Sequence, residues 1–455
     1  MMNEFKHYIA EVSGLRFIAD CMHLQSSAGR NLLMYTSFIT DTVALQTELD
    51  RTETMQKLKR ETPTAIQAVL LQLEQLHDIH QTLKNLRSRI VLDDVEFFEI
   101  KKFTLIAQQV EKQLSPFGLA WLAWQDITAV LTLLDPAEQQ TPNFYIYPDY
   151  DSRLPSLHKQ LACEKEEQKR QTLLLNLAEV EDEVRQKLSD KLRQYVEPLQ
   201  YNLNLLAYLD VLLAKAQLAN DLHFTKPKIV AEHIKFTALF NPAIAERLQE
   251  KGHQFQPIDI SLTETPCLIT GANMSGKSVL LKTIGLAQVL FQFGFYVPAT
   301  AAELTPVEAV LFSMGDTQSE MSGLSSFAVE ILNIQQIIRK VKSGQRILSL
   351  VDELARTTNP DEGKALVNAF VRLMSKYKAY TLITTHYSGI NAPCRRLRVK
   401  GLQFSVMPEK ITPETLPNYM DYALEECADC EAPHEALRIA EIFGVDEEFL
   451  ALAGQ

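Results

Sequence analysis

The sequence predicts a mixed architecture: an all-α region, then an α/β domain, then a short helical tail. Three observations predict it. The first ~220 residues are rich in Leu, Gln, Glu, Lys and Ala and contain only Gly14, Gly29 and Gly118 as glycines, a helical texture. From near residue 225, short β-branched or apolar runs alternate with helical patterns, the order that builds a mostly parallel sheet. A glycine-rich loop, residues 271–278, joins one such run to a helical pattern.

The helical region carries an apolar stripe at Leu177, Val180, Val184, Leu188, Leu192 and Tyr195, spaced for one face of a long helix. Pro198 is expected to kink or end that helix. The run Leu203 to Leu218 lacks a clean polar face and reads as buried on several sides. In the second half, Pro257–Leu262, Pro266–Thr270, Ile347–Val351 and Tyr380–Thr384 read as strands. Ser278–Phe293 and about Glu362–Tyr377 read as helices. The last ~45 residues, from Ile411, read as helical, and Ala436–Phe443 closes on Gly444 as a helix stop. There is no internal repeat and no low-complexity tract.

A chain of 455 residues has room for two to four domains, and 46% hydrophobic residues can bury a sizeable core. A net charge of -12 argues against non-specific nucleic-acid binding by the chain as a whole, because phosphate contacts need local positive charge. Six scattered cysteines, no apolar signal core and no apolar stretch of ~18 residues predict a reduced, cytoplasmic protein without a membrane span.

The loop Gly271-Ala272-Asn273-Met274-Ser275-Gly276-Lys277-Ser278, followed by Val279, fits the Walker A pattern. Its glycines let backbone N–H groups turn inward around phosphate oxygens, and the following helix N-terminus adds partial positive charge. Lys277 is then expected at the β- and γ-phosphates of ATP, and the Ser278 hydroxyl on Mg²⁺. Asp352 and Glu353 end the apolar run Leu348-Ser-Leu-Val, the Walker B arrangement. Asp352 is placed to hold Mg²⁺, and Glu353 to orient or deprotonate the attacking water. His386, after the next strand, has two readings: a γ-phosphate or water contact, or a capping or packing histidine. The segment Gly315 to Phe327 combines hydroxyls and glycines and runs into a helix that Ser325 or Ser326 would cap. It reads either as a capped surface helix or as an ABC-type signature that completes a second subunit's site.

Together these motifs resemble the MutS family of DNA-mismatch-repair ATPases. Thr270 to Ser278, Leu281-Lys-Thr-Ile-Gly-Leu286, Gly294-Phe-Tyr-Val-Pro-Ala299, Asp352-Glu353-Leu354 and Thr385-His386-Tyr387 follow in the family's order. Gly315-Asp-Thr-Gln-Ser and Thr358-Asn-Pro-Asp-Glu-Gly363 look closest to the second bacterial branch. The resemblance implies an ABC-type ATPase domain over 221–425, a helical core domain over 1–145, lever helices over 146–220 and a dimerisation tail over 426–455. It implies that Phe255 stacks on adenine. It also implies that Ser325 reaches ATP in the other subunit of a homodimer, or of a heterodimer with a MutS-like subunit. Closure on ATP would move the lever helices, with DNA as the inherited partner, in mismatch repair or recombination.

Departures accompany the matches. The chain leaves little room for mismatch-recognition and clamp modules. Ala355 and Thr357 stand where the family usually has glycines, and Phe240-Asn241-Pro242 where Arg-His-Pro is usual. Tyr419-Met-Asp-Tyr422 and Pro433 to Arg438 look like truncated MutS-like proteins that reactivate cobalamin-dependent lysine aminomutases. That resemblance implies a client enzyme rather than DNA. Two smaller signals remain. Cys427-x-x-Cys430 with His434 could form part of a metal site or none. Arg395-Arg396-Leu-Arg398-Val-Lys400 reads as the exposed face of an edge strand or as a DNA contact.

Overall fold

The computed structural model describes residues 4–139, 143–272, 275–314, 326–356, 358–403, 415–427 and 436–453. In chain order the helices are α1 (Phe5–Glu11), α2 (Leu15–Cys21), α3 (Ser27–Tyr35), α4 (Thr42–Glu61), α5 (Pro63–Glu74), α6 (His80–Arg87), α7 (Asp94–Leu114) and α8 (Thr128–Leu134). Then come α9 (Leu154–Cys163), α10 (Glu167–Leu192), α11 (Val196–Asp221), α12 (Pro242–Glu250) and α13 (Lys277–Gln292). The last are α14 (Ser326–Lys342), α15 (Pro360–Tyr377), α16 (Ala436–Ile442) and α17 (Glu447–Ala453). The strands are β1 (Lys228–Ile229), β2 (Ile234–Leu239), β3 (Ile258–Leu262), β4 (Cys267–Thr270), β5 (Ala301–Leu304), β6 (Ala309–Ser313), β7 (Ile347–Val351), β8 (Tyr380–Thr384), β9 (Arg395–Leu402) and β10 (Met420–Glu426).

Two compact units emerge. One comprises residues 23–36 and 54–216, the other 1–22, 37–53 and 217–455. The first is all helical. Its core joins Val69 and Leu73 of α5, Phe97 and Phe103 of α7, and Val130 of α8 to α10 and α11. On α10 the buried residues are Val180, Val184, Leu188, Ser189 and Leu192, so the apolar stripe faces inward as its spacing predicts. Pro198 does not end that helix. α10 stops at Leu192, a 3-10 turn covers Arg193–Tyr195, and Pro198 lies in the first turn of α11. A proline costs no hydrogen bond there, because the first turn's N–H groups have no intrahelical acceptor.

The second unit is built on a six-stranded sheet of order β10-β9-β4-β8-β7-β6. Its pairs are parallel apart from β9 with β10. β4, β7 and β8 are buried along their whole length, which is why they read as continuous apolar runs. Alternation along β7 sends Ile347 and Val351 into the core shared with α14 and α15. Leu350 points the other way, toward Gly285 of α13, where a Cβ would meet Leu350 at 3.0 Å and Phe312 at 2.4 Å. A second sheet, of order β1-β5-β2-β3, pairs β2 antiparallel with both neighbours.

Two further sequence expectations are corrected. The residues from Ile411 are not uniformly helical, because β10 forms at Met420–Glu426. β9 is not an edge strand, since it lies between β4 and β10. The mostly parallel sheet expected from the alternation of strands and helices is present, beside a smaller sheet in which β2 pairs antiparallel.

The N-terminal segments are built into this second unit. Phe5 packs edge-on to Phe293 at 5.1 Å, and Tyr8 stacks on Phe38 at 5.3 Å. The end of α13 holds the segment before α4 by hydrogen bonds. Ile39 N–H donates to Gln292 O at 2.8 Å, and Gln292 Nε2 donates to Ile39 O at 3.0 Å and to Val307 O at 2.6 Å. Gln292 Oε1 accepts from Val307 N–H at 3.1 Å and from Gln288 Nε2 at 2.9 Å. Leucine at 292 would match the volume but orphan both backbone groups of Val307 and the Ile39 carbonyl. Gln292→Leu should therefore lower unfolding stability by about 3 kcal/mol, read from the urea midpoint at constant slope.

Candidate nucleotide site

The candidate residues are set by the carboxyl ends of three adjacent parallel strands. β4 ends at Thr270 and feeds the glycine-rich loop, β7 ends before Asp352 and Glu353, and β8 ends before Thr385-His386. Register fixes the alignment, with Ile269 opposite Thr384 and Val351 opposite Ile383. This is the end of an open parallel sheet at which ligands bind.

Gly276 has φ +79, in the left-handed region, and a Cβ there would meet the Tyr422 ring at 3.0 Å. Both conformation and space therefore demand glycine. Lys277 begins α13 and is buried. Its Nζ donates to Gly271 O at 2.9 Å and Ala272 O at 2.8 Å. Burial draws the Lys277 ammonium pKa below its ordinary value, while the nearby charges of Glu353 and Asp352 pull it back up. That coupling puts the acidic pair within electrostatic reach of the loop lysine. The Ser275 hydroxyl is buried without a hydrogen-bond partner, an orphan acceptor and donor within the loop. Ser278 and Val279 follow in the first turn of α13, half-buried. Asn273 and Met274 lie outside the described residues, as do Ser325 and the rest of 315–325.

The acidic pair is held by a residue that sequence reasoning missed. Thr384 Oγ1 donates to Asp352 Oδ1 at 2.6 Å and accepts from Glu353 N–H at 3.0 Å. Thr384 is buried, and in sequence it looks like any β-branched residue of an inner strand. Asp352 N–H also donates to Ser313 O of β6 at 2.8 Å. Beyond the pair the chain turns sharply, with Glu353 at φ +48 and Ala355 at φ +64. Arg356 lies 3.6 Å from Glu353 Oε2. His386 is exposed beside the Tyr387 ring, with centroids 4.3 Å apart.

Phe255 lies half-buried in the loop between α12 and β3. β10 holds that loop. Gln256 Nε2 donates to Asp421 Oδ1 at 2.8 Å, and Tyr422 N–H donates to Gln256 Oε1 at 2.9 Å. The Tyr422 side chain in turn covers Gly276, so one strand supports the Phe255 loop and touches the glycine-rich loop. β10 also answers the basic run of β9. Arg395 pairs with Glu426 at 2.6 Å, Arg398 with Glu425 at 2.8 Å and Lys400 with Asp421 at 3.4 Å. Arg396 donates to Ile390 O at 2.7 Å. Three of the run's four charges are thus matched by β10 carboxylates, and the Arg396 guanidinium bonds to backbone carbonyls.

Among the described residues no group of three or more His, Cys, Asp or Glu side chains is arranged to hold a metal ion. Cys430 and His434 lie outside the described residues. No described helix is long and apolar enough to cross a membrane.

Comparison with known proteins places this unit. Residues 267–453 match the family model for MutS domain V. The chain is 34% identical over 201 residues to the DNA mismatch repair protein MutS of Exiguobacterium sp., covering 44% of this chain and 24% of that protein. It is 35% identical over 205 residues to endonuclease MutS2 of Agathobacter rectalis, covering 44% of this chain and 25% of the relative. It is 30% identical over 230 residues to the DNA mismatch repair protein MutS of Thermus thermophilus, covering 50% and 27%. The chain spans about a quarter of the length of the curated relatives it matches. Over residues 267–453 it is therefore similar to MutS domain V, and its likeness to the MutS proteins rests on that region.

Proposed function

We propose that the chain is a MutS-like ATPase that binds Mg²⁺-ATP, hydrolyses it to ADP and phosphate, and uses the cycle to open and close a dimer. The observation that carries this reading is the convergence of the glycine-rich loop, the Thr384-held acidic pair and His386 on one end of the parallel sheet. The site fits a polyphosphate. Lys277 Nζ bonds to the loop carbonyls of Gly271 and Ala272, which phosphate oxygens can replace, and among the described residues the Ser275 hydroxyl has no hydrogen-bond partner. When bound, Mg²⁺ supplies charge neutralisation at the phosphates, with Ser278 and Asp352 as its protein ligands.

The chain's own groups do the rest. The N–H groups at the start of α13 and the Lys277 ammonium bind the phosphates. Thr384 fixes the aim of Asp352 and the backbone of Glu353. The Glu353 carboxylate takes the proton of the attacking water, and His386 orients that water from the next strand. Phe255 stacks on the base. Ser325 acts in trans, so two subunits, identical or MutS-like, complete each site. DNA mismatch repair is the role named for the MutS relatives; the dimer, the cytoplasm and the recombination role belong to this reading by the sequence resemblance.

A second reading, an ATP-dependent reactivase of a cobalamin-dependent lysine aminomutase, is favoured by one observation. The net charge is -12, and Arg395, Arg398 and Lys400 of β9 pair with Glu426, Glu425 and Asp421, which weakens the case for DNA as the client.

Three measurements test these readings. Glu353→Gln should keep ATP affinity and lose at least about 100-fold in kcat; unchanged steady-state hydrolysis would sink the assignment of the base. Thr384→Val, which keeps shape but not the hydroxyl, should lower kcat about tenfold and raise the Mg²⁺ concentration for half-maximal activity, whereas Thr384→Ser stays near wild type. On the DNA reading, duplex or branched DNA should bind at low salt and lose affinity steeply between about 50 and 200 mM. No binding at low salt, with an enzyme retained by Glu353→Gln in ATP, would favour the client reading.

A further inference from the structure

The turn that follows the acidic pair is left-handed at a residue that is not glycine. Ala355 sits at φ +64 and is buried. A side chain in that region costs about 1–2 kcal/mol, so the surroundings must impose it. Two side chains do so. Glu330 Oε1 accepts from Ala355 N–H at 2.6 Å, and Tyr387 OH donates to Ala355 O at 2.6 Å. Tyr387 reaches that carbonyl because Gly363 of α15 leaves room; a Cβ there would lie 2.3 Å from the hydroxyl.

Glu330 is out of place by composition. Phe327, Glu330, Ile334, Ile337 and Val341 repeat at helical spacing, and the four apolar members pack into the core of the sheet face. Glu330 is a carboxylate on that same stripe. Burial raises its pKa, while the Ala355 N–H and the nearby Arg356 charge act in the opposite sense. A carboxylate half-buried on an apolar face is stabilised by a partner, and the partner here is the backbone beside Glu353. α14, which carries Glu330, directly follows the 315–325 segment in the chain.

We propose that Glu330 is a positioning residue for hydrolysis: its carboxylate fixes the left-handed turn at Ala355 and sets the backbone from which Glu353 projects. The proposal rests on the reading of Glu353 as the general base.

Kinetics and amide exchange on the full chain test it. Glu330→Ala should lower kcat about tenfold and leave affinity for a fluorescent ATP analogue within about twofold. Glu330→Gln, which keeps an acceptor, should stay within about threefold of wild type. Adding Ala355→Gly, which removes the need for an imposed turn, should restore most of the kcat lost in Glu330→Ala. Unchanged kcat in Glu330→Ala, parallel loss of nucleotide affinity, or no recovery by Ala355→Gly would each overturn the proposal. Hydrogen exchange at Ala355 gives a readout that needs no turnover: it should quicken in Glu330→Ala and not in Glu330→Gln. Exchange unchanged in Glu330→Ala refutes the clamp, whereas a wild-type chain without hydrolysis refutes the ATPase reading instead.

Discussion

A helix buried on almost every side holds its long polar side chains by hydrogen bonds to the segments packed around it, and that constraint organises the second unit. α13 runs from Lys277 to Gln292 with most of its residues buried. Its far end bears Gln288 and Gln292, both fully buried. Their amides bond to Thr305, Val307 and Ile39, so the helix is tied at one stroke to the β5–β6 connection and to the segment before α4. Leaving any of these groups unpaired would cost about as much as several methylene burials return. Lys277, at the other end, faces the same rule and meets it with the loop's own carbonyls. One buried helix thus fixes the glycine-rich loop at its start and the N-terminal segments at its end.

The acidic pair obeys a related logic. Asp352 and Glu353 leave a buried strand for a turn that two non-glycine residues must make in the left-handed region. Glycine would adopt that turn at little steric cost but would leave it loose. This chain uses alanine and surrounds it with hydrogen bonds from α14 and from the β8 loop. The result is a turn whose geometry belongs to its neighbours, so the position of Glu353 depends on α14 and on the β8 loop.

Much of this was legible in the sequence, and what was not has physical causes. β4, β7, β8, α13 and α15 announce themselves because strands buried on both faces give unbroken apolar runs and the helices between them keep a 3.6-residue period. The glycine-rich loop and the acidic pair stood out by residue type. β10 did not, since Met-Asp-Tyr-Ala-Leu-Glu-Glu is half-buried and rich in residues that favour helices. Its acids make sense only opposite Arg395, Arg398 and Lys400. Thr384 passes for a core residue and Glu330 for an odd acid on an apolar stripe, because each role depends on a neighbour distant in sequence, Asp352 and Ala355. The separation of residues 1–22 and 37–53 from the helices around them had no local signal at all.

That last feature bears on how the protein is made. Phe5, Tyr8, Leu15, Ile18, Phe38, Leu45 and Leu49 are buried in the finished unit, and the rings that Phe5, Tyr8 and Phe38 meet include Phe293. On a ribosome adding roughly 5–20 residues per second, these first apolar groups wait on the order of 15–60 s for that partner to emerge. All core residues of the helical unit, 23–36 and 54–216, are translated by then. Until residue 293 follows, those apolar groups lack a ring they pack against, a window in which chaperone capture or misassembly competes with completion of the second unit.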